Sequence, residues 1–296
     1  MTMRISTAAV AALAALSLTA AAQQAAAPSP EKPRMIALGI EYKTARALYE
    51  HFKKEAGNGH ALDWRGVPNW TGIWTREASP FFWDPDQAPT ALPTAKLTPE
   101  YDRLLKDKLD KVSRGIEFDP LSNCEPAGMP RWMVEPFLRE FVVTPGQTYL
   151  INEMQNEIRR VYTDGRDHPS EADAYPLWEG DSIGFWYDGK LVIHTSQMRA
   201  GQYQRVQPFY TEQVETVEIW QKTDATTMVV HVWAFDPPAL AEPWYTRQVY
   251  KLLSNDDLSL RIRHWACGEN QNNVVEKTET GNSDFTNFTF TEKDDQ

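Results

Sequence analysis

Between about Phe137 and Asn270, alternating apolar and polar residues predict a run of β-hairpins, and most of its strands carry an ionisable side chain. The clearest cases are Glu153, Arg160, His194, Glu218, His231 and His264, each spaced to share a strand face with large apolar or aromatic residues. An imidazole beside a carboxylate is a common general acid/base device near neutral pH, and a guanidinium can hold a carboxylate or a developing oxyanion. On this reading His194 and His231 are the acid/base candidates, Glu153 their carboxylate and Arg160 the anion holder. Two other readings of the same residues stay open. Arg160 and Glu153 could form a satisfied internal ion pair, with the histidines bonded to Tyr or backbone groups. Alternatively His194, His231 and His264 could give three nitrogens to a divalent metal, with Glu218 or Glu153 adding an oxygen. No His-x-His or His-Glu-x-x-His pair is present, so the expectation is a site without metal or other cofactor.

Aromatic residues supply a wall for such a site. The chain has 11 Trp, 11 Tyr and 12 Phe, and Tyr162, Trp186, Trp233 and Tyr250 fall within the strands. These residues, with Glu218 and His264, are the expected ligand contacts for a hydrophobic or aromatic small molecule. The turn from Thr163 to Pro169 could add Arg166 and His168 at a barrel mouth, although Asp-Gly and His-Pro also suffice for an ordinary turn. There is no phosphate loop or dinucleotide fingerprint, which removes the kinase and Rossmann readings. A net charge of -11 disfavours a nucleic-acid partner.

The elements that must position these groups follow from strand alternation. It groups Tyr149, Ile151 and Glu153, then Ile158, Arg160 and Tyr162, then Val192 and His194, and finally Val229, His231, Trp233 and Phe235. Leu258, Leu260, Ile262 and His264 make the last set. These faces are expected to point inward, against a rival apolar face of Met228, Val230 and Val232 around His231. Short turns at Pro145-Gly146, Asp164-Gly165, Asp188-Gly189, Thr223 to Ala225 and Asn255 to Asp257 join about nine antiparallel strands. Such a meander closes most economically into an up-and-down barrel, giving a mainly β fold.

Residues 1–22 have Arg4, an apolar stretch and small residues at Ala20 and Ala22, the pattern of a secretory signal. A linker at 23–34 precedes a predicted amphipathic helix, Met35 to Ala56, stopped by Gly57-Asn58-Gly59. Ala61 to Pro99 is dense in Trp and Pro and predicts an irregular wrap over the barrel. Thr98 and Pro99 open a helix to about Arg114, whose KDKLDK stretch reads as a solvated face. The expected organisation is a helical and irregular wrap at 35–134, a barrel at 135–273 and a polar tail at 274–296. Export makes Cys124 and Cys267, an even pair, a predicted disulfide, worth about 4 kcal/mol in the chain-entropy account. No membrane span is expected in the mature chain, and the oligomeric state is not legible.

Residues 119–270 resemble a largely uncharacterised family of exported bacterial proteins. The resemblance rests on DPLSNCEPAGMP, RRVYTDGRDHP, GDSIGFWYDGKLVIHT and WACGEN, which match that family's Cys-x-Pro-x-Gly, DGR-x-H, GxSIGxW and Cys-x-Glu-Asn motifs. It implies export and a lipocalin-like (calycin-type) sheet, with no fixed activity. Members commonly have Asp where this chain has His194, leaving either a specialised chemistry here or a position without a catalytic part. The resulting expectation is a periplasmic or secreted enzyme that acts on an aromatic or hydrophobic small molecule by proton transfer, as a lyase or isomerase does. The alternative is a non-catalytic carrier of a similar ligand.

Overall fold

The structure, a computed structural model, describes residues 29–77, 82–87, 92–116, 119–170, 172–253, 260–267, 276–277 and 283–284. The signal segment, the Asn255 to Asp257 turn, Leu258, part of the linker and most of the polar tail lie outside the described residues.

Eleven strands carry the described core: β1 (Ile73–Arg76), β2 (Arg139–Thr144), β3 (Gln147–Asn152), β4 (Ile158–Tyr162), β5 (Asp181–Tyr187), β6 (Lys190–Ser196), β7 (Gly201–Gln202), β8 (Phe209–Tyr210), β9 (Glu215–Lys222), β10 (Thr227–Phe235) and β11 (Trp244–Leu252). Nine of them close a barrel in the order β1-β11-β10-β9-β6-β5-β4-β3-β2, while β7 and β8 form a separate ribbon. The mainly β, closed-barrel expectation holds, and its architecture is calycin-like. All neighbours are antiparallel except β4 and β5, which pair parallel because the long connection after Tyr162 returns to the same end of the barrel.

The ninth strand comes from the opposite end of the barrel region to the one the alternation suggested. Ile73–Arg76 lies in the Trp/Pro-rich segment but is itself free of Pro, so it can pair with both β2 and β11 and close the barrel. Leu260 to Cys267, read from the sequence as the last strand, has no regular secondary structure. It lies along the turn after β3, where the Arg263 and Trp265 backbone amides donate to Glu153 and Asn156. The predicted Cys124–Cys267 disulfide is present and ties this segment to the chain ahead of β2.

The single N-terminal helix is instead two, α1 (Lys32–Tyr42) and α2 (Ala45–Glu55). Lys43 takes a left-handed conformation, and the Thr44 hydroxyl accepts from the Ala47 amide, which ends one helix and caps the next. The third, α3 (Pro99–Ser113), starts as expected after Thr98. Its KDKLDK stretch is only partly solvated. Lys106 and Lys111 pair with Asp102 and Asp107 on the surface, but Lys108 is buried, with its ammonium on Gln202 and the Gln204 and Gln207 carbonyls.

Two apolar layers result. Inside the barrel Trp70, Trp74, Phe141, Trp220 and Tyr250 contact one another, the last two stacked 5.6 Å apart, and Trp70 also meets Trp186. Outside, α1 and α2 cover Ile183, Phe185, Val192, Val217, Trp233 and Phe235. Strands β5, β6, β9 and β10 are therefore buried on both faces. That is why apolar alternation misassigned them: on β10 the inward set is Met228, Val230 and Val232, while His231 and Trp233 face the outer layer.

Candidate functional site

The long connection from β4 to β5 brings His168 back against the start of β5 and the outer face of β6. There a chain of four side chains runs along the outer face of the barrel wall. Asp181 Oδ1 lies 2.5 Å from His168 Nδ1, His168 Nε2 lies 2.7 Å from His194 Nδ1, and His194 Nε2 lies 3.3 Å from Glu215 Oε2. His194 is almost fully buried at 3% exposure, Asp181 and His168 reach 15% and 12%, and Glu215 opens to solvent at 38%. From α2, Tyr49 lays its ring 5.5 Å from that of His194. Arg46 of the same helix grips Asp167 through two bonds of 2.6 and 3.1 Å, and Asp167 accepts the His168 backbone amide. The turn that presents His168 is thus latched to the helix that covers His194.

Proton counting defines what this chain can do. Burial is the largest influence on His194 and pulls its pKa down, against Glu215, which raises it; His168 and Arg46 lower it further. A neutral imidazole carries one ring proton, so two such rings would supply two protons to three links. The two short links to Asp181 and between the rings take them, which leaves His194 Nε2 with a free lone pair at the longest link, beside exposed Glu215. A proton taken up there makes an imidazolium that Glu215 stabilises. The arrangement is that of a general base backed by an orienting imidazole and carboxylate.

The barrel interior holds a second polar cluster. Arg159 donates to Glu218 through two bonds, 2.9 and 2.7 Å long, and also to Ser182 and Thr195. Glu218 further accepts from Thr216 and Trp220. Neither member of the pair has any solvent exposure. Nearby, Glu157 accepts from the Gly128 amide and Asn152, and meets the Glu179 carboxyl, whose pKa burial and Glu157 together push well above the usual range.

Of the residues singled out in the sequence, Glu218, Trp186 and Tyr250 do line the interior. Tyr250 donates its hydroxyl to the Met133 carbonyl, 2.8 Å away. Arg160 is exposed, and its neighbour Arg159 is the buried one: β4 presents Arg159 and Val161 inward, the opposite parity to that expected. Glu153 stands past the end of β3. His194, His231 and Trp233 belong to the outer layer, where His231 Nδ1 meets the Tyr245 hydroxyl at 2.8 Å and Trp233 donates to the Met35 carbonyl. His264 is exposed in the segment after the barrel. Tyr162 and Arg166 pair at the rim, the guanidinium 4.2 Å from the ring centre, and Arg166 also bonds Asp164. The three histidines weighed for a metal therefore lie in separate places: His194 against His168 and Glu215, His231 against Tyr245, and His264 in the outlying segment. Among the described residues no group of three His, Cys, Asp or Glu side chains converges as metal ligands would.

Sequence reading missed Asp181, Glu215 and Arg159. Two consecutive arginines within one strand require one to face inward, which was a signal for Arg159. Asp181 and Glu215 each open a strand, where a carboxylate looks like turn chemistry. Comparison of the chain with models of known protein families and with curated proteins finds no match.

Proposed function

We propose that this protein is an exported, cofactor-independent catalyst of proton transfer on an aromatic or otherwise hydrophobic small molecule, of lyase or isomerase type. The observation that carries the reading is the Asp181–His168–His194–Glu215 chain, with its basic nitrogen at the solvent-facing end. His194 is the base, His168 and Asp181 orient it, and Glu215 stabilises the imidazolium. Because Trp, Tyr, Phe and Arg side chains occupy the barrel interior, the substrate meets this site from outside the barrel wall. The Cys124–Cys267 disulfide supports an oxidising compartment, and no helix among the described residues is long and apolar enough to cross a membrane. Two of the stretches that carry the resemblance to the exported family, DGRDH and GDSIG, supply His168 and Asp181, whereas His194 stands where that family commonly has Asp.

The test uses 5-nitrobenzisoxazole, an aromatic compound whose ring opens when a base removes its carbon-bound proton. The protein is expected to open it at least tenfold faster than free imidazole at equal concentration. His194→Ala should lose that advantage, with the variant's fold verified by circular dichroism. A rate no better than imidazole, or one that survives His194→Ala, overturns the assignment.

A further inference from the structure

A cleft of about 380 Å³ lies across the barrel from the imidazole chain, between the segment 64–72 and β2. Strands β2 and β6 are four steps apart in the nine-strand order, so the cleft and the histidines share no wall. Its floor is rigid. Trp70 and Phe141 are 1% and 3% exposed and are locked into the interior aromatic cluster, with ring centres 6.3 Å apart. Its sides are open and apolar: Trp64 is 75% exposed and Val142 45%, with Val67 and Pro68 between the two walls. An indole left this far in water forgoes a large favourable burial, and nothing in the fold requires the exposure.

The charge pattern narrows the occupant. Glu140 is the only ionisable side chain among the lining residues, and its carboxylate makes no hydrogen bond or ion pair with the described residues. Lys222 is committed to the Asn69 carbonyl and lies 5.7 Å from the Trp74 ring. A net charge of -11 on the whole chain adds a long-range attraction for cations. We propose that this cleft binds a flat aromatic cation of one or two rings, such as an N-alkylated heteroaromatic. Its ring would slide between Trp64 and the Trp70–Phe141 floor, and its charge would sit within reach of both Glu140 and the Trp64 π-face. The cleft volume matches a molecule of that size.

The experiment titrates the mature protein with N-methylquinolinium, followed by NMR of the indole N–H signals, the Trp64 signal being assigned by its loss in Trp64→Ala. A saturable shift of that signal is expected. By isothermal titration, Trp64→Ala should weaken binding about tenfold and Glu140→Gln about fivefold, in keeping with the usual worth of a cation–π contact and a partly exposed ion pair. Naphthalene-2-sulfonate has a two-ring system of similar size with the opposite charge, and should bind at least tenfold more weakly. Equal affinity for cation and anion overturns the proposal, as does an affinity unchanged in Trp64→Ala. Trp64 is largely exposed and the Glu140 change is conservative, so both variants are expected to fold.

Discussion

His194 and Thr195 are consecutive on β6, yet they serve charged clusters on opposite sides of the barrel wall. Thr195 turns inward and accepts from Arg159, whose remaining donors reach Ser182 and both oxygens of Glu218. His194 turns outward into a row of imidazoles and carboxylates that has one proton too few for its links. Inside, each charge has a partner and no solvent contact, so neither group can change protonation without breaking the network. Outside, the buried His194 ring meets at 3.3 Å a Glu215 carboxylate that is 38% exposed. The difference teaches that a buried ion pair is no sign of chemistry by itself, which is why the proposed function rests on the outer chain and not on the inner pair.

The largest expected effect tests the inner half of this contrast. Arg159→Met leaves Glu218 charged and unpaired in the barrel and should cost about 3–5 kcal/mol in urea unfolding. The double variant Arg159→Met/Glu218→Leu should recover most of that loss, though not all, since Ser182, Thr195, Thr216 and Trp220 also lose partners. If the double variant is no more stable than the single one, the pair is more than a self-contained structural unit and the contrast fails on that side.

A second prediction separates two histidines of the outer layer. Burial holds the His231 pKa down at about 4, from an ordinary 6.5, against a smaller upward pull from Glu31, and its ring partner is a tyrosine. The unfolded chain therefore takes up a proton on this residue before the folded chain does. Stability is fully present above 6.5 and is lost as pH falls towards 4. The loss over that window is on the order of 3 kcal/mol. His231→Gln keeps an acceptor for Tyr245 and should flatten this part of the pH–stability curve. An unchanged acid limb would mean that His231 is not buried as neutral imidazole.

The fold was legible in the sequence because turn dipeptides and alternation are local signals. Asp188-Gly189 does join β5 and β6, and hairpins of this kind account for much of the nine-strand barrel, though not for its closure by β1. The direction of each face was not legible. On β4 the exposed residues include Ile158, at 42%, and the buried ones are Arg159 and Val161, so the charged residue lies inward and an apolar one outward. On β6 and β10 both faces are apolar because α1 and α2 add a second layer, which no single-strand pattern announces. The candidate site was half visible. His194 and His168 were picked out separately, one as an interior residue and the other as a mouth residue. The contact between them depends on the return of a long connection and on the parallel pairing of β4 with β5, both non-local.

The inner cluster also predicts a weaker dependence of the opposite sign. The Glu179 carboxyl is held well above the usual range by burial and by Glu157, so the folded state keeps its proton after the unfolded chain has lost one. Stability from this residue is present at low pH and declines as pH rises from about 4.5 towards the elevated folded value. Glu179→Gln keeps the side-chain size and carries no charge. It should raise stability near neutral pH by about 1 kcal/mol, read by thermal unfolding across pH. A destabilised variant would show that Glu179 is ionised in the fold.

The smallest effect on stability should be the most informative about the site. Arg46 and Asp167 are 44% and 63% exposed, so their pair contributes only about 0.2–1 kcal/mol. Yet the same carboxylate holds the His168 backbone amide, and Arg46 stands on the helix that covers His194. Arg46→Ala should therefore leave urea unfolding within 1 kcal/mol of the parent. It should also slow benzisoxazole opening several-fold, because the turn carrying His168 is no longer fixed to α2. A rate that falls only in proportion to stability would make the latch part of the scaffold. A rate that falls with stability intact would place it on the acid/base side of the barrel wall, as a residue that positions His168.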